Sequence, residues 1–148
     1  MGELVYRLKY RQERDVAVRI LQLLERITGL EKYDAIIPVP SSTVRAFQPV
    51  DVIATALGAQ RGVRVLIGFL QKGGGGALKS IDEPDKRAVA LAEISVASAC
   101  DLSGKRVVLV DDLYRSGATL SACTNVLYDQ AGVADVVVLT MTKTRTKR

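Results

Sequence analysis

The chain has 148 residues, enough for one domain with its own core, and its 48% hydrophobic and 25% charged residues fit a water-soluble globular protein. It contains no histidine, which excludes Ser-His-Asp and Cys-His catalysis and removes the commonest zinc ligand; two cysteines, Cys100 and Cys123, are too few for a zinc ribbon or a disulfide framework and read as small core residues. The net charge of +5 gathers at the ends, in Arg7, Lys9, Arg11 and Arg14 and in Lys143, Arg145, Lys147 and Arg148, a balance that suits phosphate metabolites or weak binding to nucleic acid.

The opening MGELVYRLKYRQERD is too charged for a signal peptide, and no apolar run approaches the ~18 residues of a membrane span, so the expected location is the cytoplasm. From about Asp15 to Ile27, apolar residues at Val16, Ile20, Leu24 and Ile27 fall at helical spacing, and Gly29 supplies a stop. YDAIIPVP is a short apolar strand broken by Pro38 and Pro40. A second helix begins near Pro49, presents Val50, Ile53, Ala54 and Leu57 on one face, and ends before Gly62. VRVLIGFL reads as one buried strand.

Four consecutive glycines in QKGGGGALKSIDEPD carry a large ordering entropy, which predicts a mobile loop over about 72–83. A short helix follows from Pro84 to Ala92, ISVAS carries a weak strand pattern and DLSGK is a turn. KRVVLVDD is the strongest strand of the chain. Thr119 to Ala131 is helical, with Leu120, Cys123, Leu127 and Ala131 on one face and Gly132 as its stop, and ADVVVLTM is a last apolar strand. Strands alternate with helices and read as continuous apolar runs. That pattern predicts an α/β fold in three layers, a parallel sheet with helices on both faces, in a single domain over 1–148.

One stretch carries chemistry. VVLVDDLYRSGATL places Asp111 and Asp112 at the carboxyl end of a buried strand, where open parallel sheets bind ligands. The small residues Ser116, Gly117, Ala118 and Thr119 lead into a helix N-terminus, whose unpaired N–H groups and positive dipole end favour an anion. Acceptors on one side and anion donors on the other match a sugar phosphate, with hydroxyls toward the carboxylates and phosphate in the loop. Hydroxyl donors or Mg²⁺ would relieve the repulsion between the carboxylates. GGGGALKS departs from a Walker A loop, because Leu78 stands where that pattern needs glycine before Lys79-Ser80.

VVLVDDLYRSGATL resembles the signature of type I phosphoribosyltransferases, an apolar strand, two acidic residues and a Thr-Thr-Gly-x-Thr-like loop that binds phosphoribosyl pyrophosphate (PRPP). LKYRQERDVA (8–17) and IIPVPSSTVRAFQP (36–49) resemble the competence-associated, amidophosphoribosyltransferase-like ComF branch of that family. The resemblance implies that Asp111 and Asp112 are the catalytic carboxylates, receiving the ribose 2′- and 3′-hydroxyls. Arg115, Ser116, Gly117, Ala118 and Thr119 would form the 5′-phosphate loop. Val39, Pro40, Ser41 and Ser42 would form the pyrophosphate loop with help from Arg45. The glycine-rich stretch would be the lid, bringing Lys79 or Arg87 to the pyrophosphate, and the first 30 residues would be the hood over the acceptor. Mg²⁺ would enter with PRPP, held as well by Asp111 and Asp112.

The implied reaction is displacement of pyrophosphate from ribose C1 by a base or amine. A non-catalytic accessory protein of the same fold, associated with nucleic acid in DNA uptake, is the alternative, and a homodimer is compatible with either. Arg115-Ser116 replaces the usual two threonines, and the loop lacks the aspartate base of purine-salvage members.

Overall fold

The computed structural model of the chain describes residues 1–41, 43, 46–73 and 93–144. In chain order these form α1 (Gly2–Arg11), α2 (Val16–Leu24), a 3-10 turn (Leu30–Lys32), β1 (Ala35–Pro38), α3 (Pro49–Arg61), β2 (Arg64–Val65), β3 (Leu70–Lys72), β4 (Ile94–Val96), β5 (Arg106–Tyr114), α4 (Ala118–Asp129) and β6 (Asp135–Lys143). Four strands pair in parallel in the order β2-β1-β5-β6, while β3 and β4 form a separate antiparallel pair.

Strand parity sorts the core into two halves, because successive side chains of a strand point to opposite faces. Ile36, Val108, Val110 and Met141 pack with Val5 and Leu8 of α1, Ala17 and Ile20 of α2, and Ile53, Ala54 and Leu57 of α3. Ala35, Ile37, Val107 and Leu109 pack with Leu120, Cys123 and Leu127 of α4 and with Leu70 and Ile94 of the small sheet. The result is the expected three-layer α/β architecture, with helices on both faces of a parallel sheet. Both faces of β1 and β5 are sealed, which is why their sequences are continuously apolar.

The third helix has the bounds its sequence dictates. Pro49 sits in its first turn, where a missing N–H costs nothing, and Gly62 closes it in the left-handed conformation at φ +66°. Arg61 at its end donates from Nη2 to the Leu24 carbonyl, 2.9 Å away, tying it to α2. Gly58 lets this helix lie against the sheet, since a Cβ there would stand 2.2 Å from Val65 Cγ2.

Three expectations change. VRVLIGFL is two strands, because Gly68 turns the chain at φ +74°; β2 edges the main sheet, β3 joins the small one, and Ile67 between them is exposed. The helix expected from Asp15 to Ile27 ends at Leu24, with Ile27 packed against the core outside it. The first 30 residues hold a further helix, α1, anchored by Val5 and Leu8 and followed by a turn in which Arg7 pairs with Glu13. The loop expected over 72–83 is described only at Lys72, the end of β3, and Gly73; the helix expected from Pro84 to Ala92 lies outside the described residues.

Candidate functional site

The sheet order fixes where a ligand can enter. From β1 the chain crosses through α3 to β2 on one side, and from β5 it crosses through α4 to β6 on the other. Adjacent strands whose connections leave in opposite directions open a crevice at their carboxyl ends. A cleft of about 490 Å³ occupies this place, lined by Pro38 at the end of β1 and Val39, Pro40 and Ser41 after it, by Asp111 and Asp112 on β5, and by Thr119 on α4.

The carboxylates lie inside β5 rather than at its tip. Strand β1 ends opposite Val110, whereas β5 keeps pairing with β6 as far as Tyr114. Asp111 and Asp112 therefore stand in the notch where β1 peels away, one on each face of the strand. Asp112 continues the row of Val108 and Val110 on the α1–α3 side. It is the one buried charged residue among those described, and its Oδ2 lies 2.8 Å from Lys9 Nζ. Asp111 continues the row of Val107 and Leu109 on the α4 side, and its Oδ1 accepts the Asp112 N–H at 2.8 Å. Burial first, then the charge of Asp112, push the Asp111 carboxyl up to about 6, against the opposing pull of the Asp112 and Leu113 amides and of Lys9. Burial likewise pushes the nearby Cys123 thiol up to about 12, which makes it an inert core group.

The loop after β5 is short. Arg115 and Ser116 are exposed, and Gly117 adopts φ +79° as the residue before α4. The first helical bond runs from the Ser121 N–H to the Gly117 carbonyl at 2.8 Å, so the Thr119 and Leu120 amides precede the helical ladder. No side chain caps the helix; the Ser116 hydroxyl accepts only a long 3.4 Å bond from the Ala118 N–H. A Cβ on Gly117 would lie 2.9 Å from the Tyr114 hydroxyl, so the glycine serves both the left-handed turn and the close approach of the ring. Of the five loop residues predicted from the sequence, Thr119 lines the cleft; Arg115, Ser116, Gly117 and Ala118 do not.

On the β1 side, Val39, Pro40 and Ser41 line the cleft, and the Val39 N–H donates to the Val110 carbonyl at 2.9 Å. The Ser41 hydroxyl accepts the Thr43 N–H and donates to the Thr43 carbonyl at 2.8 Å, so it is engaged within its own turn. Gln48 donates to the same carbonyl at 2.8 Å. Ser42, Arg45, Lys79 and Arg87 lie outside the described residues.

Sequence reasoning missed Lys9, Asp51, Gln71 and Lys72, all of which line the cleft. Asp51 occupies the first turn of α3, where burial raises its carboxyl. Nothing in its local sequence marks it as a cleft residue. Lys9 read as one of several basic residues near the N-terminus; its pairing with a residue 103 positions later leaves no local signature.

No family model and no curated protein sequence matches the chain. Solved structures do. It is similar to the adenine phosphoribosyltransferase of Thermoanaerobacter pseudethanolicus, at 18% identity over 90% of this chain and 71% of that one, with a TM-score of 0.60. It is similar to the purine phosphoribosyltransferase of Pyrococcus horikoshii, at 18% identity over 91% and 85%, with a TM-score of 0.55. It also matches the glutamine PRPP amidotransferase of B. subtilis, at 22% identity and a TM-score of 0.59, covering 86% of this chain and 26% of that larger one. With helices on both faces of its parallel sheet and these structural matches, the chain has the α/β fold of the type I phosphoribosyltransferases.

Proposed function

We propose that the chain binds PRPP and transfers its phosphoribosyl group to a base or amine, releasing pyrophosphate. One observation carries this reading: at the crevice where the sheet connections diverge, Asp111, Asp112 and Thr119, in the first turn of a helix that no side chain caps, line one cleft. A furanose diol supplies donors to the carboxylates, and its 5′-phosphate accepts from the amides that begin the helix. The ComF-like segments LKYRQERDVA and IIPVPSSTVRAFQP support assignment to that branch.

The reaction needs no protein base as strong as histidine. Its transition state is cation-like at C1, so the protein contributes by holding the sugar, aligning the acceptor and excluding water. Asp111 and Asp112 place negative charge beneath the ribose as positive charge develops there. Beside the leaving pyrophosphate the Ser41 N–H is the donor this loop can offer; the Val39 N–H is bonded to the Val110 carbonyl and Pro40 has none, so these two residues shape the wall. The family resemblance implies a pyrophosphate-binding role for Ser42, Arg45, Lys79 and Arg87.

Hard oxygen donors suit Mg²⁺. Among the described residues, however, no group of three or more acidic, cysteine or histidine side chains is placed to hold a metal ion, and Asp112 is already paired with Lys9. Mg²⁺ would thus be carried mainly by the phosphate oxygens of PRPP, with Asp111 as the protein's available carboxylate. When bound, it neutralises charge on the leaving pyrophosphate.

The accessory, nucleic-acid-binding alternative draws on the basic ends. Arg7 is paired with Glu13, Lys9 with Asp112, and Arg14 lies over the Phe47 ring at 5.2 Å, so the N-terminal cluster is largely engaged within the protein. No helix among the described residues is long and apolar enough to cross a membrane.

The test is pyrophosphate release from PRPP and Mg²⁺ across a panel of bases and amines. Release that depends on one acceptor class and disappears in Asp111→Asn supports the transferase. PRPP binding without release for any acceptor supports the non-catalytic alternative.

A further inference from the structure

Lys9 stands out because of what holds it and what surrounds it. Its helix is fixed by Val5 and Leu8, buried in the core, and closed at Gln12 by a left-handed turn. Its backbone is therefore anchored while a four-carbon stem carries the ammonium into the cleft. Among the described residues lining that cleft, only Lys9 and Lys72 carry positive charge, against Asp51, Asp111 and Asp112. The pair is asymmetric: the Asp112 side chain is 9% exposed, the Lys9 side chain 27%. The carboxylate side chain is nearly sealed, whereas the lysine side chain keeps contact with solvent and so has room to turn.

We propose that Lys9 is an exchangeable binding residue, holding Asp112 in the free protein and turning to the ligand's diphosphate once sugar hydroxyls occupy that carboxylate. This rests on the PRPP reading above. A diol on Asp112 takes the acceptor that Lys9 uses, and an ammonium left without an acceptor in a cleft is costly. The nearest new anion is the ligand itself, which brings several negative charges to a site already rich in carboxylates. The N-terminal helix thereby becomes a wall of the site and a reader of the pyrophosphate end, in addition to covering the acceptor.

The experiment compares PRPP with ribose 5-phosphate, which has the diol and the 5′-phosphate but no diphosphate. Both are titrated calorimetrically with Mg²⁺ into the full chain as wild type, Lys9→Met and Lys9→Arg, with thermal melts to verify folding. Lys9→Met is expected to weaken PRPP on the order of tenfold to a hundredfold, the range for a lost charged hydrogen bond. It should leave ribose 5-phosphate unchanged or a few-fold tighter, since a competitor for Asp112 has gone. Lys9→Arg should retain PRPP affinity to within a few-fold. Lys9→Gln replaces Lys9→Met if the latter does not fold. Equal loss of both ligands, no loss of either, or a folded Lys9→Arg as weak as Lys9→Met overturns the proposal while the PRPP reading stands. If the wild type binds neither ligand, the PRPP reading itself fails, and the role of Lys9 fails with it.

Discussion

Asp111 and Asp112 are neighbours in sequence, yet they inhabit two different regions of the molecule. Asp112 belongs to the layer of α1, α2 and α3, where an ammonium from the N-terminal helix reaches it at 2.8 Å. Asp111 belongs to the layer of α4, where no ammonium pairs with it among the described residues and burial pushes it up to about 6. The doublet is thus two different groups, separated by the alternation of a strand. One is compensated by a movable cation, the other is held at a cost that a ligand or metal can relieve. A site built this way keeps one carboxylate ready without a full buried charge pair on both faces.

The largest effect that can break this contrast is on ligand affinity. Asp111→Asn and Asp112→Asn should each weaken PRPP by about 1.5–3 kcal/mol, the cost of a charged hydrogen bond. Combining each with Lys9→Met in a double-mutant cycle should give strong coupling for Asp112 and little for Asp111. Equal coupling would mean the two faces are not distinct.

The next is the pH dependence of stability. Burial pushes the folded Asp111 carboxyl up to about 6, from an ordinary aspartate value of 3.8, so the folded chain takes up this proton more readily than the unfolded chain. The stability this group contributes is whole below about pH 4 and is lost as pH rises to about 6. Urea melts of wild type and Asp111→Asn should show the wild type losing roughly 1–3 kcal/mol relative to the variant between pH 4 and pH 7, allowing for partial exposure. A difference independent of pH would place Asp111 in water.

A smaller effect belongs to the loop. Gly117→Ala forces a side chain into φ +79° against the Tyr114 ring, and should cost on the order of 1 kcal/mol and weaken phosphate binding at the start of α4. The smallest is chemical. Cys123, under the Asp111 face, should resist alkylation at pH 8 in the native protein, while the partly exposed Cys100 reacts. Native labelling of Cys123, read by mass spectrometry, would show that this face is open.

The sequence made the architecture legible where local rules decide it. Continuous apolar strands implied a doubly covered parallel sheet, Pro49 and Gly62 bracketed α3, and the doublet pointed to a strand position that lines the cleft. What it hid was set by distance. GELVYRLKYR has too few apolar residues to announce α1, and its helix is stabilised by packing on the core rather than by pattern. Lys9 counted as surface charge until the fold set it against Asp112. VRVLIGFL looked like one strand because Gly68 breaks it through conformation, which apolar periodicity does not register.

The central claim is that a sugar phosphate sits between the β5 notch and the start of α4. Amide NMR of the isotopically labelled chain during titration with PRPP and Mg²⁺ tests it most directly. The account predicts saturable shifts concentrated at Asp111 and Asp112 and at the Gly117–Leu120 amides, with Lys9 following. Saturable binding that leaves those amides unmoved and shifts another surface instead would contradict it.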